Sequence, residues 1–178
     1  GMTVEVLKSA REVSYLLDNM DPAEAAKYQY IKHMFSPILV YLGMFDTDMY
    51  GDMPYTEAVM ARYTNPMLLT PKFDTMEELY TIWYDQLVEA VNVLSNPVTV
   101  NGTQITQTAL GAQDFVYGGN AAKWAKFANS LKLKLAVRLL HQNKAKALAI
   151  AKEAAAKQAE KENANAELAA KQRSEERR

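Results

Sequence analysis

Cysteine is absent from the 178 residues, which excludes a disulfide frame, a thiolate zinc site and a lipidated cysteine within this chain. Glycine and proline are scarce, at seven and six, which leaves few breaks for turns and favours helix. Imidazole is nearly missing. His33 and His141 are the two histidines, and neither has the cysteine or acidic spacing of a metal set. His141 falls at the end of a helical pattern, where a cation would meet the negative helix end favourably. A net charge of −1 gives no reason to expect nucleic acid or an anionic membrane as partner. No apolar run reaches about 18 residues, the length of a membrane-spanning helix. There is no signal-peptide pattern, and Gly1-Met2 reads as an expression remnant. No glycine-rich phosphate loop and no nucleophile motif is visible, so no catalytic residue is assigned. The acid pairs Glu77-Glu78 and Asp85-Glu89 read as solvated helix faces rather than glycosidase carboxylates.

What is present is 49% hydrophobic and 23% charged, enough for one globular domain with a core. The chain is organised around the stretch Asp114 to Leu140. Tyr117-Gly118-Gly119-Asn120 makes a turn that starts a helix, with Asn120 placed to accept an amide of the first turn. Trp124, Ala128, Leu131, Leu135 and Leu139 then recur at helical spacing, and Leu133, Val137 and Leu140 widen the stripe into a two-sided core helix. Lys123, Lys126, Lys132, Lys134 and Arg138 flank it and can lay their stems over apolar neighbours.

Upstream, Val6, Ala10, Val13 and Leu17 mark a first helix over residues 3–18. Asp21-Pro22-Ala23-Glu24 opens a second, with an N-cap, a proline at the first position and an acid three residues on. Its core face is expected at Tyr28, Ile31, Phe35, Ile38, Leu42, Phe45 and Met49, with a kink rather than a stop at Pro37. Residues 59–74 carry Pro66 and Pro71 with no period and read as a long ordered loop. Thr75-Met76-Glu77-Glu78 is a capping box, followed by Leu79, Trp83, Leu87, Val91 and Leu94 and closed by Pro97. Asn101-Gly102 between two short β-prone runs predicts a hairpin with Val98, Val100, Thr103 and Ile105 on one face, lying against the helices. Asn101-Gly102-Thr103 also matches a glycosylation sequon, read as chance. Asn143 is a junction to a final helix in which Leu148 and Ile150 can pack. The segment 157–178 is rich in Ala, Glu, Lys and Gln, with almost no face to bury, and reads as a long exposed helix beyond a domain of residues 1–156, with a partly disordered tail as the alternative.

Asp46, Asp48, Gly51, Asp52 and Glu57 fall at positions 1, 3, 6, 7 and 12 of a calcium loop counted from Asp46, but Tyr50 stands where a short oxygen ligand is needed and Pro54 stiffens the loop. The simpler reading puts Asp46 and Asp48 near a helix end and has Asp52 bond local backbone amides, with no metal bound. Ten tyrosines, five phenylalanines and two tryptophans supply flat rings of the kind on which sugars stack. Trp83 and Trp124 lie on core stripes. Tyr50, Tyr55 and Tyr63, near the long loop, are the rings least explained by packing, and Asp52 stands beside them.

Two long runs, YGGNAAKWAKFANSLKLKLAVRL from Tyr117 and YGDMPYTEA from Tyr50, closely resemble motifs of the SusD/RagB family of surface glycan-binding lipoproteins, in the same order and separation. The likeness covers roughly residues 10–155, and the chain departs from the family pattern from about Lys157. It marks Trp124, Asn129 and Arg138 as structural signature positions, while Tyr50, Asp52, Tyr55 and Tyr63 stand as candidate ligand contacts on the packing argument above. It implies an all-α, tetratricopeptide-like bundle with one small hairpin and a long C-terminal helix. It also implies a non-catalytic, cofactor-free role: oligosaccharide capture by a lipid-anchored protein on the outer membrane surface, for delivery to a SusC-type TonB-dependent transporter. Family members are considerably longer, so this chain is expected to be a piece, mainly scaffold, with much of the ligand surface in other segments. Without the resemblance, a helical-repeat module binding a peptide in a groove, or a glycoside hydrolase fragment, would be the competing readings.

Overall fold

Asp21 sets the first well-capped helix start in the computed structural model, which describes residues 1–140 and 144–175. The helices are α1 (Met2–Asp18), α2 (Pro22–Ala25), α3 (Gln29–Tyr50), α4 (Met76–Ser95), α5 (Ala121–Leu139) and α6 (Lys144–Glu175), with a hairpin β1 (Thr99–Val100) and β2 (Thr103–Gln104). The expected junction at Asn143 and the role given to His141 lie outside the described residues. Contacts divide the chain into two compact units, Gly1–Leu131 and Lys132–Arg178. The division falls inside α5, whereas the change of composition at residue 157 lies within the unbroken α6.

In the first unit, Asp21 caps α2 by accepting the amides of Ala23 and Glu24 at 3.0 and 3.3 Å, with Pro22 in the first turn. The expected continuous helix then breaks, because its carbonyls are claimed from outside. Gln107 Nε2 donates to the Ala26 carbonyl and the Thr108 amide to that of Lys27, both at 2.8 Å, while the Tyr30 amide donates to Gln107 Oε1. Residues 26–28 tighten into a 3₁₀ turn, and α3 starts afresh at Gln29. From there α3 runs through Pro37 to Tyr50.

The face that α3 buries is rotated from the expected stripe. His33, Met34, Pro37, Val40, Met44 and Thr47 are buried, whereas Phe45 is 50% and Met49 61% exposed. This helix is apolar on several sides, so two stripes overlap and periodicity alone does not choose between them. Packing chooses: α3 contacts both α1 and α4, and Gly43 admits the Trp83 ring so closely that a Cβ there would stand 2.5 Å from Cζ2. On α1 the buried positions are Thr3, Leu7 and Leu17, with the expected Val6, Ala10 and Val13 only half-buried.

The capping box of α4 forms as expected: Glu78 N donates to Thr75 Oγ1, and Glu78 Oε2 accepts the Thr75 amide at 2.8 Å. Leu79, Trp83, Leu87 and Ala90 are fully buried, and each large side chain among them contributes about 1.5–3 kcal/mol by leaving water. Asn96, which precedes Pro97, is extended and ends the helix. The hairpin pairs Thr99 with Gln104 and Val100 with Thr103 across Asn101 (φ 49°) and Gly102 (φ 79°), both left-handed as a type I′ turn requires. Val98, Val100 and Ile105 are half-buried while Thr99 and Gln104 face water, which matches the expected sidedness; Thr103 is exposed.

In the second unit, Leu135, Ala136 and Leu139 of α5 and Ala147 and Ile150 of α6 are buried. Leu133, Val137, Leu140 and Leu148 are exposed, so the widened stripe does not form a second core face here. Lys132 does not snorkel. It is fully buried and pairs with Glu153 at 3.1 Å. The final helix is continuous to Glu175, as its composition predicts.

Candidate functional site

The long loop between α3 and α4 is tied down by one carboxylate. Asp74 is fully buried and accepts the amides of Tyr55 and Thr56 on Oδ2, at 3.0 and 2.7 Å, and the Thr56 hydroxyl on Oδ1 at 2.7 Å. Lys72 Nζ reaches the same Oδ1 at 3.1 Å. Burial alone would raise the Asp74 pKa; the Thr56 amide and hydroxyl, Lys72 and the Tyr55 amide outweigh it and hold the carboxyl below its ordinary value. A two-way backbone bridge between Met53 and Asp74 closes the loop's neck. Asp52 bonds the Met76 amide at 3.0 Å across 24 residues, at the start of α4, rather than local amides. Asp46 sits inside the last turns of α3 and accepts the Thr3 amide at 3.1 Å, so the first five positions of the would-be calcium loop are helical.

Four residues stand as candidate ligand contacts, and the fold separates them. Tyr55 is 1% exposed, with its ring edge-on to Trp83 at 5.8 Å and its hydroxyl donating to Gln86 Oε1 at 2.8 Å. Burial pushes its phenol up to about 12 against the pull of Gln86 and Arg11. A ring so enclosed offers no face to a sugar. Tyr50 is 70% exposed at the end of α3. Tyr63 lines an open groove. Lys8, Ser9 and Glu12 of α1 face Val59, Ala61, Arg62 and Tyr63 of the loop around a volume of about 600 Å³, the size of an ordinary small-ligand site. Tyr63 packs on Tyr15 (centroids 5.1 Å apart) and donates to Glu12 Oε2 at 2.6 Å; that bond, then partial burial, raises its phenol pKa. Arg62 pairs with the same Glu12 oxygen at 3.0 Å and lies 5.9 Å from the Tyr63 ring centroid. Val59, on the rim, has φ 56°, a conformation that costs a β-branched residue about 1–3 kcal/mol and that recurs at ligand sites. A ring backed by a second ring and flanked by a carboxylate, a guanidinium and an ammonium can stack a sugar face and fix its hydroxyls. Sequence reasoning missed Glu12, Tyr15 and Arg62, since nothing in the local pattern of α1 points to a loop some 50 residues away.

The second motif is built the same way. Asp114 is buried and accepts Val116 and Tyr117 amides on Oδ1 at 3.0 and 3.1 Å, and the Gly119 amide and Trp124 Nε1 on Oδ2 at 2.8 and 2.6 Å. Burial works to raise its pKa, and these four donors, the indole first, bring it below the ordinary value. Gly118 and Gly119 take φ of 63° and 77°, which lets the turn fold back over the carboxylate. Asn120 Oδ1 accepts the Lys123 amide at 3.0 Å and starts α5, as expected. Trp124 is 3% exposed, and Asn129 and Arg138 are half-buried along the helix.

The chain is a helical protein whose two sequence motifs are each folded around a buried aspartate, and it belongs to the SusD-like family (Susd and RagB outer membrane lipoprotein), whose profile matches residues 6–175. The match runs well past Lys157, where the sequence was expected to leave the family pattern. The SusD-like family is one of substrate-binding, non-catalytic proteins. Among solved structures it is similar to a Bacteroidetes AC2a SusD-like protein (27% identity, TM-score 0.62), a chitin-binding protein (27%, 0.59) and a SusD homolog from Bacteroides vulgatus ATCC 8482 (26%, 0.64). Each match covers 83% of this chain but only 24%, 28% and 27% of the other, so the chain spans about a quarter of their length. No curated protein matches the chain.

Proposed function

We propose that the full-length protein captures oligosaccharide at the outer membrane, on its surface side and lipid-anchored, and passes it to a SusC-type TonB-dependent transporter. The family match over residues 6–175 carries this reading. The chain is mainly the helical scaffold, and the groove between α1 and the loop, with Tyr63 at its wall, is its own contribution to ligand contact. A chitin-binding relative supports chito-oligosaccharides as the first ligands to test.

The test is calorimetric titration of an oligosaccharide panel, chito-oligosaccharides first, into the full-length lipoprotein and its Tyr63→Ala variant. Saturable binding is expected, weakened roughly tenfold or more by loss of the ring, as for a stacking anchor. A panel with no saturable member refutes glycan capture. Binding indifferent to Tyr63→Ala moves the contact to the segments beyond this chain.

A further inference from the structure

Two apolar stripes run along α3, and the described residues cover one of them. Met34, Pro37, Val40 and Met44 are buried, and α3 contacts α1 and α4. The stripe that spacing predicts as a core face lies beside it. Of its residues, Ile38 and Leu42 are half-buried, while Phe45 and Met49 face water. Tyr41 borders this second stripe and meets the Phe127 ring of α5, with centroids 6.3 Å apart. From Met34 to Phe45 no residue carries a charge, so the water-facing side lacks the polar face of a surface helix. A helix apolar all round belongs inside a larger body or a bilayer. Among the described residues no helix is long and apolar enough to cross a membrane, which leaves protein as the cover.

We propose that the face of α3 formed by Ile38, Leu42, Phe45 and Met49 is an interior face of the full-length protein. Its cover is an apolar segment of the same polypeptide that lies outside these 178 residues. The similar solved structures have the length to supply one, since about three quarters of each has no counterpart here. A second copy or a separate partner fits the chemistry less well. An interface between proteins that also exist apart carries a polar rim and tolerates water between encounters. This stripe instead has the composition of a domain core cut open. The covering segment is itself short of charge, because an ionised group buried there would meet no opposite charge between Ile38 and Phe45. None of this depends on the glycan reading.

Methionine oxidation reads this out, because the two stripes each hold a methionine: Met49 is 61% exposed and Met44 only 1%. The full-length wild-type protein, purified without partners, is treated with hydrogen peroxide beside an unstructured methionine peptide, and sulfoxide at each position is followed by mass spectrometry. Met49 is expected to react roughly tenfold or more slowly than the peptide, close to Met44, at every protein concentration. Phe45→Asp, which sets a charge under the cover, should bring Met49 toward the peptide's rate while Met44 stays slow. Met44 thereby reports that α3 remains packed, and the wild-type rates decide the question even where the variant fails to fold. Met49 as fast as the peptide overturns the proposal. So does protection that survives Phe45→Asp with Met44 slow, that appears only at high concentration (a second copy), or that appears only when another protein is added (a separate partner).

Discussion

Asp74 and Asp114 each hold a turn from inside the protein, and they solve the problem of a buried charge with different partners. Among the described residues, Asp114 is solvated by neutral dipoles, three backbone amides and one indole N–H. Asp74 has two amides and a hydroxyl, and in addition an ammonium whose side chain is 53% exposed. The contrast teaches that oriented dipoles suffice to keep a carboxylate ionised out of water, and that a cation at the surface is an accessory. Three experiments press on that contrast.

The largest effect should come from truncation. Asp114→Ala and Asp74→Ala each strand several buried donors, and each is expected to cost on the order of 3–5 kcal/mol in urea unfolding. A loss at Asp114 far below that at Asp74 would show that the ammonium, not the dipoles, does most of the holding. Next is acid. Both carboxyls have folded pKa values below the ordinary one, so their stabilisation is complete above the unfolded value near pH ~4 and is lost as pH falls through the folded value. Asp114→Asn should therefore flatten the fall of Tm below about pH 4 relative to the wild type, and an unchanged slope would remove Asp114 from the acid transition. The smallest effect belongs to Lys72→Met. Its unfolding midpoint should coincide with the wild type's within error, and any difference at low ionic strength should vanish when salt is added.

Local chemistry made much of this legible beforehand. The Thr75–Glu78 capping box, the Asp21-Pro22 start, the Asn101-Gly102 turn and the Asn120 cap depend on residues within a few positions of one another, and all four form. What stayed hidden depends on distant neighbours. Phe45 and Met49 fit a core stripe by spacing, yet α1 and α4 take the adjacent face. Tyr55 lies near the long loop and on no core stripe in sequence, yet Trp83 and Gln86 enclose it. Asp46 reads as a residue near a helix end, and its bond to the Thr3 amide of α1, 43 residues away, is invisible in the local pattern. Lys132 reads as a fringe cation by its spacing, yet it is buried and paired with Glu153. Of the candidate site, sequence supplied Tyr63 alone. Its companions Glu12, Tyr15 and Arg62 become neighbours only when the loop folds back on α1.

The distance between α3 and α4 is set by a missing methyl group. Because Gly43 leaves the Trp83 indole resting on bare main chain, the largest side chain in the core occupies no more width than a small one would. Any residue with a β-carbon at position 43 would act as a wedge, prising the two helices apart at their midpoints. Tyr55, whose ring stands perpendicular to the same indole, would be carried along, and with it the Tyr55 and Thr56 carbonyls that steady Arg11.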